Sequence, residues 1–321
     1  MTQPADPAAR VPGQPGATSW AEVVRLRTLP AAVAPVILGA GAAVALGSFS
    51  LPRTLLAAGV ALALQIGSNL ANDYSDGVRG TDDERTGPPR LTASGLVKPS
   101  SVKRAAFGCF GVAALLGLVV VLLTQQWWLI LAGVAAVAAA WFYTGGPRPY
   151  GYAGLGEVFV FVFFGLMATC GTAYIQGGSV PGWVWVAACG IGLIACSLLM
   201  VNNLRDIDTD PAHGKRTLAV RLGDARARSV FVAMVYLPVA LGVGAVAWAL
   251  LARGGWDEVS LGVAALVLLV PLIILSWAAH RVVGPVVVGA TGRDLIPVLR
   301  NAGFYELVYG VVIALGLVGA F

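Results

Sequence analysis

Nine stretches of nearly unbroken apolar residues recur along the chain, near positions 29–47, 54–72, 105–123, 127–144, 155–175, 182–204, 229–251, 259–280 and 302–320. Each is close to the roughly 20 residues that an α-helix needs to cross a bilayer. Lipid offers backbone N–H and C=O groups no partner outside their own helix, so runs of this length predict spanning helices. Several begin or end at Pro or Gly, as helix ends do. The first 28 residues break the pattern. They are polar, rich in Pro, Ala and Gly, and have no apolar core, so they are expected to be a disordered tail rather than a signal peptide. The chain is therefore expected to be an all-α integral membrane protein, with a tail over 1–28 and one nine-helix unit over 29–321.

Composition agrees with this pattern. Of the 321 residues, 58% are hydrophobic and only 12% charged, and mean hydropathy is +0.80. A soluble domain carries about 25% charged residues. Cys109, Cys170, Cys189 and Cys196 all fall inside apolar runs without a CxxC spacing and read as small core residues.

Charge adds orientation. If nine spans alternate the loops between two sides, 19 of the 21 Lys and Arg residues fall on one side, and only Arg53 and Arg253 on the other. Lys/Arg excess marks the cytoplasmic side of a plasma membrane. The N-terminus is thus expected inside and Phe321 outside. The same distribution accounts for the net charge of +5 without nucleic acid, for which the sequence carries no motif.

The polar residues that end the second and sixth runs carry the chemistry. In "SNLANDYSDGVRGTDDER", Asn69, Asn72 or Asp73, and Asp76 follow i, i+3/i+4, i+7 spacing and share a face if the helix continues through Asp76. In "NNLRDIDTDPAHGKRT", Asn202, Asp206 and Asp210 follow i, i+4, i+8 spacing and would form a second face. Asn-x3-Asp thus occurs twice, each copy followed by Gly and basic residues. This pattern suggests two distant pseudo-repeats, with motifs at 69–82 and 202–217. Clustered carboxylates repel one another unless hard cations join them. Mg²⁺ takes one or two carboxylates plus phosphate oxygens, and nearby Arg and Lys hold the remaining phosphate charge. The arrangement suits departure of a diphosphate. Asp83 and Glu84 read as solvated surface.

Both motifs resemble the aspartate-rich motifs of the UbiA superfamily of intramembrane prenyltransferases. "GPPRLTASGLVKP" (87–99) and "YTGGPRPYGYAGLGEVFVFVFFG" (143–165) resemble the branch that prenylates 1,4-dihydroxy-2-naphthoate, the MenA type of menaquinone biosynthesis. The resemblance spans essentially everything after the tail. It implies nine helices around a central cavity open to the cytoplasm and to lipid, with Mg²⁺ held between the motifs. It carries a metal role to Asp76, Asp206 and Asp210, with Asp73 and Asp82 as further candidates. In many relatives the first motif ends in a third Asp, a place taken here by Gly80, with Asp82 two residues later. Asp208 would face away on a continued helix, so no metal role is expected of it. Arg79 and Lys215 are expected to contact diphosphate, and Asn72 and Asn202 to join the substrate site.

The reaction so implied is electrophilic aromatic substitution. A polyprenyl diphosphate ionises with its tail among apolar helices, the ring of 1,4-dihydroxy-2-naphthoate attacks the allylic carbon, and CO₂ leaves. Such a tail belongs in the lipid bilayer rather than in water. Arg148 is a candidate partner for the acceptor carboxylate or the diphosphate, and equally a topology anchor. Tyr143 and Tyr150 are candidates for stacking on the ring, although interfacial packing is the commoner role for Tyr. His213 reads as solvated. Within the superfamily, 4-hydroxybenzoate, homogentisate and sugar phosphates are alternative acceptors. A membrane transporter is the alternative of another class, but the carboxylates gather at one side and not at the midplane.

Overall fold

The computed structural model describes residues 28–80, 91–93, 95, 97–253 and 261–321. The expected tail up to residue 27, and Asp82, Asp83 and Glu84, lie outside the described residues. Every regular element among the described residues is helical. The nine apolar runs become α1 (Leu29–Ala45), α2 (Leu51–Arg79), α3 (Pro99–Thr124), α4 (Leu129–Phe142), α5 (Gly156–Gly177), α6 (Gly182–Arg205), α7 (Asp224–Ala252), α8 (Leu261–Val287) and α9 (Leu295–Gly319). Seven of the described helices are long and apolar enough to cross a membrane; α1 and α4, at 17 and 14 residues, are apolar but shorter.

Local sequence accounts for several boundaries. Pro lies in the first turn of α1, α2 and α3, where its missing N–H costs nothing. Gly80 ends α2 at φ 73°, a left-handed conformation that glycine adopts without strain. Prolines inside α1, α7 and α8 are accommodated because packed neighbours support the interrupted ladder.

Close packing joins α2 to α3, α6 to α7, and α1 to α9. The most buried span is α6, which contacts α7, α9 and α5. Where α5 meets α6, Gly165 lies so close to Gly192 that a methyl on Gly165 would run into the Gly192 backbone. Small residues allow this approach in membranes, where helices gain little from hydrophobicity and associate through close contact. The same stretch of α5, Phe161–Met167, is wound as a π-helix. On α9, Tyr305 donates to the Val235 carbonyl and Tyr309 to the Ala187 carbonyl, both at 3.1 Å, fixing its rotation against α7 and α6.

Long-range hydrogen bonds sort the loops between the two ends of the bundle. At one end, Leu91 and Thr92 bond to Asp73, Arg79 to Thr144 and Gly146, Arg216 to Tyr152, and Arg228 to Val286. At the other, Ser50 and Arg53 bond to Gln176, Tyr174 to Gln126, and Arg253 to Ala320. This is the alternation expected from the charge pattern. Arg53 and Arg253, the two basic residues set apart, each donate to carbonyls at the C-terminus of a helix, α5 and α9 respectively. A cation there satisfies carbonyls that have no partner within the helix.

Candidate functional site

A cavity of about 1620 Å³ runs into the bundle from the end that carries both acidic motifs. Its walls are chiefly apolar side chains of α1 to α5, and its mouth is polar, with Asn69, Asn72, Asp76, Asn202, Asp206, Asp210 and Lys215. On the wall, α4 packs on α2 and α3, and α5 on α6 and α1, but no comparable contact joins α4 to α5. Aromatic residues bracket this seam. At the mouth Tyr150 stacks on Phe159 at 3.9 Å and donates to the Ala139 carbonyl at 2.7 Å. At the far end Trp128 meets Tyr174, with ring centroids 5.4 Å apart.

The first motif sits on α2, which continues unbroken through Arg79, so Asn69, Asn72 and Asp76 do share a cavity-facing side. Asn72 accepts a hydrogen bond from the Thr144 hydroxyl at 2.8 Å. Asp73 departs from expectation. It is fully buried away from the cavity lining, and its two oxygens accept the Leu91 and Thr92 N–H groups at 3.0 Å each. One residue beyond the cavity-facing position, it is rotated by a helical step and anchors the loop instead. Arg79 also departs. It is exposed outside the cavity lining, and its guanidinium donates to the Thr144 and Gly146 carbonyls, bracing the segment after α4.

The second motif does not form the expected helical face. The helix α6 ends at Arg205; Asp206 is its C-terminal cap, and Asp210 opens a short 3₁₀ turn over Asp210–His213. Asp210 reaches the cavity because the chain folds back, with its N–H on the Asp206 carbonyl at 2.9 Å and the Lys215 N–H on its own carbonyl at 3.0 Å. Asn202 and Asp206 line the cavity as expected, and Asp208 is exposed.

These segments meet at Asp76. Lys215 Nζ lies 3.3 Å from Asp76 Oδ2, and the Tyr152 hydroxyl donates to Asp76 Oδ1 at 2.7 Å. Lys215 also stands 5.0 Å over the Tyr152 ring, a cation–π contact. The Arg216 N–H bonds the Tyr152 carbonyl at 2.9 Å, strapping the 150–153 turn to the segment after α6. Arg205 grips Asp206 through two bonds, 2.8 and 2.5 Å. Tyr143 and Tyr150 line the cavity in edge-to-face contact at 5.6 Å. Burial pushes the Tyr150 hydroxyl up from its ordinary value, so it stays protonated and contributes its ring. Arg148 is exposed outside the cavity lining, so the anchor reading fits its placement. His213 lines the cavity with Nδ1 3.1 Å from the Thr209 carbonyl. Tyr152 is the residue that sequence reasoning missed. Its signal was its place in "YTGGPRPYGYAGLGE", but spacing could not separate it from Tyr143 and Tyr150.

Among the described residues no three His, Cys, Asp or Glu side chains cluster tightly enough to hold an ion together. The donor set at the mouth is nevertheless hard oxygen, carboxylate and amide, with Lys215 and Arg205 beside it. Such a set suits Mg²⁺ that keeps water or phosphate oxygens as its other ligands.

A model of the UbiA prenyltransferase family matches residues 32–284. The chain is 48% identical to a 1,4-dihydroxy-2-naphthoate octaprenyltransferase of Mycobacterium tuberculosis, over 92% of this chain and 95% of that protein. It is 42% identical to the enzyme so named in Escherichia coli, over 65% and 70% of the two chains. Its fold is similar to a UbiA homologue of Archaeoglobus fulgidus, a structure bound to GPP and Mg²⁺, with a TM-score of 0.64, 14% identity and coverage of 92% and 99%.

The anchoring role of Asp73 is testable by stability. Asp73→Ala removes the hydrogen bonds to the Leu91 and Thr92 N–H groups, each worth about 1.5–3 kcal/mol as a bond to a charged acceptor. The thermal midpoint in detergent is expected to fall by several degrees, whereas Arg148→Ala leaves it within a degree. An unchanged midpoint for Asp73→Ala would show that the loop is held by other contacts.

Proposed function

The chain belongs to the UbiA prenyltransferase family, and from that premise we propose that it transfers a polyprenyl group from polyprenyl diphosphate to 1,4-dihydroxy-2-naphthoate, a step of menaquinone biosynthesis. The acceptor carboxylate leaves as CO₂, giving the demethylmenaquinone skeleton after oxidation. One observation carries the reading: carboxylates from two distant motifs and one lysine converge at the mouth of a deep apolar cavity with an unpacked lateral seam. A polar head and a long apolar tail require that combination. The identity with naphthoate prenyltransferases over nearly the whole chain favours this acceptor over 4-hydroxybenzoate, homogentisate or a sugar phosphate.

Asp76, Asp206 and Asp210, with Asn72 and Asn202, would hold Mg²⁺. When bound, the ion neutralises the diphosphate and eases its departure. Lys215 exchanges Asp76 for the diphosphate as the head group enters, and Arg205 keeps Asp206 oriented. Tyr152 holds Asp76 through its hydroxyl as Lys215 moves. The apolar walls position the tail and keep water from the allylic carbon as it becomes electron-poor. The rings of Tyr143 and Tyr150 flank the place where a flat acceptor enters. With most Lys and Arg residues at the same end as this mouth, the site opens to the cytoplasm.

Excess chelator should abolish turnover. Asp76→Asn, Asp206→Asn and Asp210→Asn should each lower kcat/KM by about 10²-fold or more, and Asp208→Asn by less than about threefold, on the scale of lost charge stabilisation at an active site. Full activity in chelator, or an Asp206→Asn enzyme near wild type, rules the metal reading out.

For the acceptor, kcat/KM with one polyprenyl diphosphate should favour 1,4-dihydroxy-2-naphthoate over 4-hydroxybenzoate, with one CO₂ released per transfer. Equal turnover of the smaller ring, or a prenylated product that retains its carboxylate, defeats this assignment but not prenyl transfer.

Orientation can be read with an impermeant thiol reagent on intact cells, using single cysteines at the exposed Ser100 and Ser179 in a background without the native cysteines. Ser179→Cys should label and Ser100→Cys should be protected. The opposite pattern inverts the topology.

A further inference from the structure

Glu306 lies midway along α9 and is fully buried, and neither of its carboxylate oxygens has a hydrogen-bond partner. The residue nevertheless lines the cavity. Its neighbours explain the placement. Tyr305 and Tyr309 are tied to α7 and α6, and Gly310 is packed so tightly on α1 that a methyl there would meet the Ala34 carbonyl. The rotation of α9 is thereby set, and Glu306 is left at the cavity wall.

A second buried acid, Glu157, lies at the start of α5. Three residues before Asp206, Asn203 lines the cavity and donates to Glu157 Oε1 at 3.1 Å. The other oxygen of Glu157 is unpartnered. An unpaired acid at membrane depth is costly to keep and marks a functional position. Among the described residues that line the cavity, Lys215 is the only Lys or Arg, and Asp76 already engages it.

Resting on the naphthoate prenylation reading, we propose that Glu306 is the subsite for the 4-hydroxyl of the aromatic acceptor. Of the two substrates, polyprenyl diphosphate offers an anionic head and a hydrocarbon tail, and so nothing for a carboxyl group to accept from. The acceptor offers two O–H groups. Its 1-hydroxyl is adjacent to its own carboxylate and bonds to it internally. Its 4-hydroxyl is set apart and free. The acceptor carboxylate stays at the polar mouth beside Lys215. The ring therefore spans from the mouth to Glu306, with the reacting edge toward the diphosphate. Asn203, held by Glu157, is a positioning residue along the same wall.

The test removes the hydroxyl from the ligand and the carboxyl group from the protein. With purified enzyme in detergent, KM for 1,4-dihydroxy-2-naphthoate and the inhibition constant of 1-hydroxy-2-naphthoate, which lacks the 4-hydroxyl, are measured for wild type, Glu306→Leu and Glu306→Gln. Glu306→Leu should raise KM for the dihydroxy acceptor roughly tenfold or more. It should leave the inhibition constant of the monohydroxy compound and KM for polyprenyl diphosphate unchanged. Glu306→Gln, which still accepts a hydrogen bond, should lie between. The thermal midpoint of Glu306→Leu should equal or exceed that of wild type, because an unsatisfied buried acid has been replaced by an apolar group. An unchanged KM, or equal weakening of both naphthoates, overturns the proposal. So does a Glu306→Leu protein too unstable to purify, since the carboxyl group would then have a structural partner. A wild-type enzyme that does not prenylate the dihydroxynaphthoate at all defeats the prenylation reading, and is recognised before any variant is compared.

Discussion

The Asp76 carboxylate holds the site together. Its two oxygens receive Tyr152 and Lys215, which come from the 150–153 turn and from the segment after α6. Three parts of the chain, up to 139 positions apart, are drawn to one anion. The contacts around it serve the same end. Asp73 pins the loop before α3, Arg79 braces the segment after α4, and the Arg216 backbone straps the turn that carries Tyr152. Asp76 is buried, so its bonds are screened less than at an open surface. The hub also explains how an acidic mouth is maintained without ligand: Asp76 and Asp206 each have a basic partner.

Behind the hub the cavity follows from uneven packing. The small-residue contact of α5 with α6 and the packing of α9 on α1 pull one group of helices together. The helices α2, α3 and α4 form another group. The seam between α4 and α5 is left to aromatic side chains at either end. Glu306 interrupts this apolar wall, and the interruption has chemical meaning because hydrocarbon gives a carboxyl group no partner.

The positions of the helices, the division of loops between two ends and the cavity-facing side of α2 were all legible from residue order. The bilayer imposes local rules: apolar length, internal backbone pairing and the charge of short loops can be read without knowing what touches what. The relation of Asn69, Asn72 and Asp76 belongs to the same class, because helical periodicity alone sets it. The same periodicity failed at Asn202, Asp206 and Asp210, since nothing local announced that α6 stops at Arg205. Asp210 reaches the site through a turn whose partners lie elsewhere. Only the tertiary structure decided that Asp73 anchors a loop while Asp76 faces the cavity, that Arg79 and Arg148 stand outside it, and that Tyr152 completes the site. It also decided that Glu306, an unremarkable acid in an apolar run, is turned inward without a partner. Each of these depends on which side chain across the bundle comes within hydrogen-bond distance, and that is a property of packed helices rather than of any single stretch of chain.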